Sequence, residues 1–513
     1  MRSNNLIYGA VILFTANLIN RILGFGYQYL IMHYIGSESF GLYYMVFPVY
    51  MTALVLTTAG IPLAISKMVS EKVSVGSYGD VQKIFRIALL ILFVSGLFVS
   101  VILYIFSPVI VGLFLPDKRV FAVFRICIPA IFIVSVSSGF RGYFQGLQNM
   151  IPSALSQVCE QIIRVAVGFT LSLKLLPQGV EWAAAGLAAG MLCGEAAGFS
   201  VILLQYLLKR SERNNIRHFS HESAKSIIWN LVTISLPVTG GRLMSTGLSA
   251  LDAVIIPKQL QAAGYSARSA ASLFGQLGGT ALTLLTFPSV FTFALATSLV
   301  PAISEAIGRK DYQLAQKRCS DAIRYTIILG LPCVITLYYY AQPLTQIFKS
   351  GEVANVLKVL AIGGIFAYLQ QTTTGILQGL GKTFLPLFHS IISTLFRLPL
   401  LYYLTGVPVL GLLGSSFAYV FGFVCLAILN LLAVKRNLKM KFDLRSILLQ
   451  PGSAGLGMIL ILNIFLRFTH HTAITNFTSM ILGLTFYVAI LLLNGGINTK
   501  EIGKIPLLNR IFH

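Results

Sequence analysis

The amino-acid sequence predicts an all-α polytopic membrane protein with about fourteen transmembrane helices, and three observations carry this prediction. Of its 513 residues, 56% are hydrophobic and only 11% are charged, and the mean hydropathy is +0.81, well outside the range of soluble proteins. Apolar stretches of about 20 residues, each long enough to cross ~30 Å of hydrocarbon as a helix, recur along the whole chain. Short motifs of the first half also recur in the second half, which indicates an internal repeat.

The apolar segments define the predicted spans in chain order. They cover residues 6–32, 41–63, 84–109, 120–142, 154–175, 183–208, 228–255, 271–302, 323–347, 356–379, 385–405, 411–434, 447–468 and 474–495. Because their number is even, both termini are expected on the same side of the membrane. The polar stretches between the spans are too short to form a soluble domain.

The basic residues indicate which side that is. When basic residues near a span end are counted with the adjoining loop, 25 of the 38 Lys and Arg residues belong to the N-terminus, alternate loops and the C-terminus, and 9 belong to the opposite loops. The other four, Arg21, Arg164, Arg242 and Arg397, lie well inside spans. By the positive-inside rule, both termini of this multi-pass membrane protein are expected to be cytoplasmic. The most basic cytoplasmic loops are Lys209–Lys225, Arg309–Arg324 and Lys435–Arg445. This topological role accounts for the net charge of +22 without a nucleic-acid partner.

The internal repeat is carried by motifs that match in the same order. The matched pairs are Asn20–Leu23 with Gly241–Met244, Val46–Pro48 with Thr286–Pro288, Pro62–Lys67 with Pro301–Glu305, Gln145–Leu147 with Gln378–Leu380, and Arg164 with Arg397. Six spans separate the members of each pair, so corresponding helices cross in the same direction and the repeats are parallel. We therefore expect a six-helix N-lobe in residues 1–215 and a six-helix C-lobe in residues 216–440, facing each other across a central cavity. Residues 441–513 would supply two further helices and a cytoplasmic tail.

Arg21 and Arg242 are the first candidates for a substrate-binding site. They occupy the same position in the first and seventh spans, and a charge at the bilayer centre costs about 3 kcal/mol on insertion scales. A guanidinium in a water-filled vestibule can bind a diphosphate through two parallel hydrogen bonds. The alternative is that each arginine pairs with a carboxylate or a helix end and holds the lobes together.

Three other charged positions inside spans have separate interpretations. Glu160 and Arg164 lie four residues apart, on one face of the fifth span, and are expected to form a structural ion pair. Arg397 has no carboxylate in its own span. It is a further substrate-binding candidate, and it can equally reach a lipid headgroup or a backbone carbonyl.

Two acids are candidates for ion coupling, with either Na⁺ or H⁺ left open. Glu195 lies beside glycines at a spacing of four, Gly186, Gly190, Gly194 and Gly198, whose expected role is close helix packing. An unpaired carboxylate at Glu195 would titrate or hold a cation. Asp252 lies ten residues after Arg242, close to three helical turns, where it would join the substrate site or pair with the arginine.

Two prolines at equivalent places in the repeats, Pro48 and Pro288, are candidate hinges. The six cysteines are scattered, without metal-ligand spacing or a disulfide framework. We find no catalytic motif, and expect neither an enzyme activity nor a cofactor nor a metal. The expected partners are membrane lipids and an anionic substrate, bound by a monomer.

The motifs resemble the bacterial lipid-flippase branch of the multidrug/oligosaccharidyl-lipid/polysaccharide (MOP) exporter superfamily, and most of all the stage V sporulation protein B group, related to the lipid II flippases. The resemblance covers essentially the whole chain, and its most characteristic pieces are Arg21–Phe25, Gly60–Lys67, Phe287-Pro288 and Leu299–Ala306. It implies a V-shaped, two-lobed transporter. It also implies that Arg21, in its Arg-x-Leu-Gly-Phe context, is functionally required. The lipid II flippases carry an Arg-Asp pair just downstream, where this chain has Tyr27-Gln28, so one cavity cation is missing.

The leading hypothesis is a flippase that moves an undecaprenyl-diphosphate-linked cell-envelope precursor across the membrane by alternating access. Peptidoglycan lipid II is the first candidate substrate, with spore cortex synthesis as one setting. The alternatives are a flippase for polysaccharide or teichuronic repeat units and a cation-coupled multidrug exporter. An exporter of organic cations favours carboxylates in its cavity, whereas the first span here has an arginine and no acid. A membrane scaffold is the non-transport alternative, and the charges within the spans argue against it.

Overall fold

A computed structural model of the chain describes residues 2–58, 60–210, 222–440, 443–468 and 472–496. These residues form nineteen α-helices and no β-strand. In chain order, the helices are α1 (Arg2–Leu30), α2 (Ser37–Thr58), α3 (Ile61–Ser74), α4 (Tyr78–Ile105), α5 (Ser107–Phe114), α6 (Phe121–Gly146), α7 (Ile151–Leu175), α8 (Val180–Arg210), α9 (Ala224–Ala262), α10 (Ala267–Gln276), α11 (Thr283–Thr286), α12 (Ser289–Gly308), α13 (Tyr312–Tyr339), α14 (Ala341–Ile347), α15 (Ala354–Gly379), α16 (Phe384–Gly406), α17 (Leu412–Leu438), α18 (Gln450–Phe468) and α19 (Ala473–Leu493).

The helices confirm the predicted class of all-α polytopic membrane protein. Twelve of the described helical segments are long and apolar enough to cross a membrane, and they correspond to all the predicted spans except the first and the fifth. Those two are α1, with 29 residues, and α7, with 25. Both are long enough to cross, but polar residues in their middle lower their hydropathy.

Several helices extend beyond the predicted spans. α9 has 39 residues, and α13 begins at Tyr312, eleven residues before the predicted start. Most of the stretch Arg309–Arg324, interpreted above as a loop, is therefore helical. The physical reason is that hydropathy marks only the segment in contact with hydrocarbon, whereas a helix continues into water as long as its backbone hydrogen bonds and its packing allow. In the predicted loop Lys209–Lys225, residues 211–221 lie outside the described part of the chain.

The two candidate hinge prolines have different surroundings. Pro48 is buried within the continuous helix α2. Pro288 instead lies at the start of α12, where the predicted eighth span is interrupted. That span consists of α10, a π-helical segment Leu277–Leu282, α11 and α12. A π-helical segment and a proline are both common causes of bends, so the break is a local property of the eighth span. The hinge roles of both prolines stay predictions.

Two compact units divide the chain, Met1–Gly279 and Thr280–His513. In the first unit, α3, α4, α6, α8 and α9 share one apolar core, α7 packs along α8, and α2 packs against α9 and α10. In the second unit, α12, α13, α15 and α17 share a core, and the α18–α19 hairpin packs on α13 and α14 through another. The lobe boundary after residue 215 stays a prediction of the sequence repeat.

Candidate functional site

Four charged side chains form one connected network inside the first unit. Glu160 of α7 accepts hydrogen bonds from Arg141 of α6 at 2.7 Å and from Arg164 of α7 at 2.6 Å. Arg164 also donates to Glu195 of α8 at 2.8 Å. The expected Glu160–Arg164 pair is therefore present, but it is half of a larger arrangement. Two arginines balance two carboxylates, so the group carries no net charge when all four are ionised.

The glycine stripe of α8 brings this network together. A Cβ atom at Gly190 would overlap the backbone of Gly168 in α7, and one at Gly194 would lie 2.7 Å from the carbonyl oxygen of Glu160. The backbones of α7 and α8 can thus approach until Arg164 reaches Glu195, as small residues permit in membranes. The packing role predicted for these glycines agrees with this contact.

Glu195 is consequently not an unpaired carboxylate. It is buried, 8% exposed, and its hydrogen bond to Arg164 would have to break before it could bind a cation. The sequence could not supply this partner, because Arg164 and Glu195 are 31 residues apart and lie on different helices. Arg141, the fourth member, lies near the end of α6 and was missed altogether.

We expect the network to behave as structure. Glu160→Ala should lower the abundance of the folded protein, because it leaves Arg141 and Arg164 without their shared carboxylate. Breaking a fully buried pair costs about 3–5 kcal/mol, and this partly buried pair should cost less than that. Glu160→Leu/Arg164→Leu should recover much of that loss, because Arg141 and Glu195 remain as one charge of each sign. The measurement is membrane abundance together with the unfolding temperature in detergent.

Glu71→Ala is the matched control, because it breaks an exposed i,i+4 pair with Lys67, which contributes at most about 1 kcal/mol. If Glu160→Ala accumulates normally yet loses transport, the network belongs to the substrate or ion path instead.

Arg21 and Arg242 lie on α1 and α9 of the same unit. Arg21 is half-buried, and one turn beyond it Gly24 faces the side-chain amide of Gln161 in α7. Arg242 is exposed in the middle of α9 and makes no ion pair with any described residue. Arg242 thus differs from Arg141 and Arg164, whose charges are balanced by carboxylates. Just beyond Arg21, the hydroxyl of Tyr27 is buried against Gly168, where the lipid II flippases have a charged pair.

Asp252 does not pair with Arg242. Ten residues rise about 15 Å along a helix, which places Asp252 too far from the guanidinium even on the same face. The carboxylate is 8% exposed and within electrostatic reach of Tyr44 in α2. Its roles in substrate binding and in ion coupling stay predictions.

Arg397 is enclosed within the second unit. It is 9% exposed, its guanidinium carbon lies 5.0 Å from the centre of the Tyr419 ring, and its stem packs on Gly422 of α17. A cation over an aromatic face is favourable in a low-dielectric environment, so the structure supplies a local stabilising contact. Its role in substrate binding stays a prediction.

A second ionic cluster, not foreseen from the sequence, joins three loops on the side predicted to be extracellular. Glu38 at the start of α2 accepts from Arg119 at 2.6 Å and from Arg268 of α10 at 3.1 Å, and Arg119 also binds Asp117 at 2.7 Å. Beside it, the hydroxyls of Ser37 and Ser272 are 2.7 Å apart. We call this region, Ser37–Gly41 with Ala271–Gly275, the α2–α10 contact.

Glycines make the α2–α10 contact possible. A Cβ at Gly41 would overlap the carbonyl of Ala271, and one at Gly275 would overlap the carbonyl of Ser37. Spans two and eight are equivalent in the predicted repeats, and the contact lies at their predicted outer ends. Among the described residues, no group of three or more His, Cys, Asp or Glu side chains is placed to hold a metal ion.

The sequence and fold resemble known membrane transporters. The family profile described as polysaccharide biosynthesis protein matches residues 6–307, and the MatE profile matches residues 276–403. Stage V sporulation protein B of Bacillus subtilis (strain 168) is 31% identical, over 100% of this chain and 99% of its own length. Lipid II flippase MurJ of the same organism is 25% identical, over 89% of this chain and 88% of its own length.

A solved structure shows the same fold. It is described as lipid II flippase MurJ in the inward closed conformation, and it covers 93% of this chain and 98% of its own with a TM-score of 0.74 and 17% sequence identity. These similarities agree with the family resemblance stated above. The chain is a membrane transporter by this relationship and not an enzyme.

Proposed function

Because the chain belongs to the polysaccharide biosynthesis protein family of the MOP superfamily, we propose that it is a flippase for an undecaprenyl-diphosphate-linked cell-envelope precursor. Lipid II is the first candidate substrate. The relatives named stage V sporulation protein B and lipid II flippase support both the precursor class and a role in sporulation.

The main support for the proposal is the environment of Arg242. It is an exposed cation in the middle of a 39-residue apolar helix, without an ion pair among the described residues. A charge in that place is expensive unless it has water or an anion. Its repeat partner, Arg21, stands at the equivalent point of α1. Two guanidinium groups at equivalent positions suit a diphosphate, which has two phosphate groups to be bound.

In the proposed transport cycle, the two arginines act together and are exposed first to the cytoplasm and then to the outside. They bind the diphosphate from the cytoplasmic side, the lobes rock about an axis along the membrane normal, and the headgroup is released outside. The polyprenyl tail stays in lipid throughout, because transferring it through a polar cavity would lose the hydrophobic free energy of its many methylene groups. Both termini are cytoplasmic in this arrangement, in accord with the loop charges.

The test is a headgroup-accessibility assay in cells depleted of their other lipid II flippases. Expression of this protein should raise the fraction of lipid II that is cleaved or labelled from outside, and the Arg21→Ala variant at equal abundance should not. Unchanged accessibility with full-length protein in the membrane would reject lipid II as the substrate.

A flippase for polysaccharide repeat units is the second candidate, favoured by the polysaccharide biosynthesis family match over residues 6–307. It uses the same diphosphate chemistry and differs only in the sugar. The same assay with a labelled repeat-unit lipid in place of lipid II separates the two.

A further inference from the structure

The second unit contains a cavity of about 520 Å³ between α12, α15 and α17, a size typical of small-molecule sites. None of the residues that line it is charged. Its polar wall is one face of α15, where Gln371, Thr374 and Gln378 follow each other at intervals of three and four residues and Gln370 lies alongside. Its apolar wall includes the aromatic rings of Phe293 and Phe423.

The carboxamides on this wall have donors and acceptors that are not used by the described residues. The Oε1 atom of Gln371 accepts from the hydroxyl of Thr292 at 2.7 Å, which leaves both of its N–H bonds free to donate. The side chains of Gln370 and Gln378 make no hydrogen bond with any described residue. Each amide can therefore offer donors and an acceptor to a ligand in the cavity.

The floor of the cavity is held by a hydrogen-bonded chain. Thr374 donates to the carbonyl of Gln370 at 2.7 Å and accepts from the amide nitrogen of Asn430 at 3.2 Å. The oxygen of Asn430 then lies 2.8 Å from Nδ1 of the buried His389. This chain fixes Thr374 against α17, so the polar wall is rigid before a ligand binds, which reduces the entropy lost on binding.

These surroundings restrict the class of ligand. The wall of this cavity has no cation to bind a phosphate and no carboxylate to balance an organic cation. Its aromatic rings would offer an organic cation only cation–π contacts, which would leave the amides unused. Neutral amides beside aromatic rings suit a ligand that has hydroxyl and acetamido groups around an apolar ring face. Uncharged N-acetylated sugars have this combination.

We propose that this cavity binds the uncharged glycan of the lipid-linked precursor. The inference rests on the proposed function and deepens it, because it assigns recognition of the sugar to α15. A site that hydrogen-bonds its ligand discriminates strongly against analogues without those groups, because its polar atoms are then left unpaired. The cavity would thus set the preference for one precursor over another.

The experiment compares two lipids on the full-length protein in nanodiscs. One is undecaprenyl diphosphate that carries an N-acetylated disaccharide, and the other is bare undecaprenyl diphosphate. Wild type should bind the first more tightly. Gln371→Leu/Gln378→Leu should weaken that binding by about 30-fold, since it removes two neutral hydrogen bonds to the ligand. Its affinity for the bare lipid should not change.

Gln346→Leu is the matched control, because it removes an exposed carboxamide from α14, outside the cavity. If the double variant keeps the full preference for the glycosylated lipid, the glycan subsite is wrong. If wild type binds neither lipid, the proposed function fails instead, which distinguishes the two failures.

A second measurement leaves the glutamines intact. Ser289 also lines the cavity, and Ser289→Cys in a protein without its native cysteines can be labelled with a maleimide. Soluble N,N′-diacetylchitobiose should slow the labelling several-fold, whereas pyrophosphate and tetraphenylphosphonium should not. Protection by either ion and not by the sugar would overturn the assignment.

Discussion

Arg21→Ala and Arg242→Ala are each expected to abolish complementation by this protein in cells that depend on it for precursor flipping. A bidentate arginine–phosphate contact contains two charge-assisted hydrogen bonds of about 1.5–3 kcal/mol each, so its loss corresponds to a decrease in transport of about 100-fold or more. Abundance and membrane insertion should be unaffected, because removing a charge from a span does not hinder insertion. The measurement is the rate of headgroup appearance outside, normalised to the amount of protein.

Lysine at either position should restore only part of the activity, because it keeps the charge but lacks the planar fork. Lys258→Ala is the matched control, since it removes an exposed cation from the same helix as Arg242 and should leave transport unchanged. Full activity of both alanine variants would remove the basis for a diphosphate site.

A disulfide between Ser37→Cys and Ser272→Cys is expected to stop transport reversibly. The two hydroxyls are 2.7 Å apart, so the cysteines should oxidise readily once the six native cysteines have been replaced. If the lobes rock, the outer ends of spans two and eight must separate before the headgroup can leave, and a covalent link at the α2–α10 contact prevents it. Transport should fall to background on oxidation and return after reduction.

Thr405→Cys/Ser415→Cys is the matched control for this lock. Its hydroxyls are 2.8 Å apart and join α16 to α17, within one predicted repeat, so the cross-link should form without stopping transport. Normal transport with the Ser37→Cys/Ser272→Cys pair fully cross-linked would rule out the rocking cycle.

The overall architecture could be predicted from sequence because membrane helices are marked by length and hydropathy alone. The ends of the helices could not be predicted in this way. The first turns of α13, for example, lie in the charged segment after Arg309, where composition indicates a loop. The broken eighth span was also missed. Its π-helical segment, Leu277–Leu282, has no sequence signature comparable to that of Pro288.

The candidate site was predictable only where it is local. The Glu160–Arg164 pair follows from helical spacing, but Glu195 and Arg141 join it through tertiary packing. The α2–α10 contact has the same origin, because Glu38 and Arg268 are 230 residues apart and nothing in either loop identifies its partner. One sequence pattern does indicate the cavity beside α15, namely the side-chain amides between Gln370 and Gln378 in an apolar helix. This pattern was not identified from the sequence.

The pairing of α7 with α8 bears on how the chain enters the bilayer during synthesis. α7 alone would carry Glu160 and Arg164 into hydrocarbon, and it falls outside the set of segments apolar enough to insert by composition. A short 3₁₀ turn, Leu176–Gln178, joins it directly to α8, which brings Glu195 and the glycine face with it. Arg164 then meets both carboxylates, but their charges balance only when Arg141 of α6 joins them. The lower-energy route at the translocon is therefore for α6, α7 and α8 to insert together. Mutations that separate these helices would then appear as defects of biogenesis before any defect of transport could be measured.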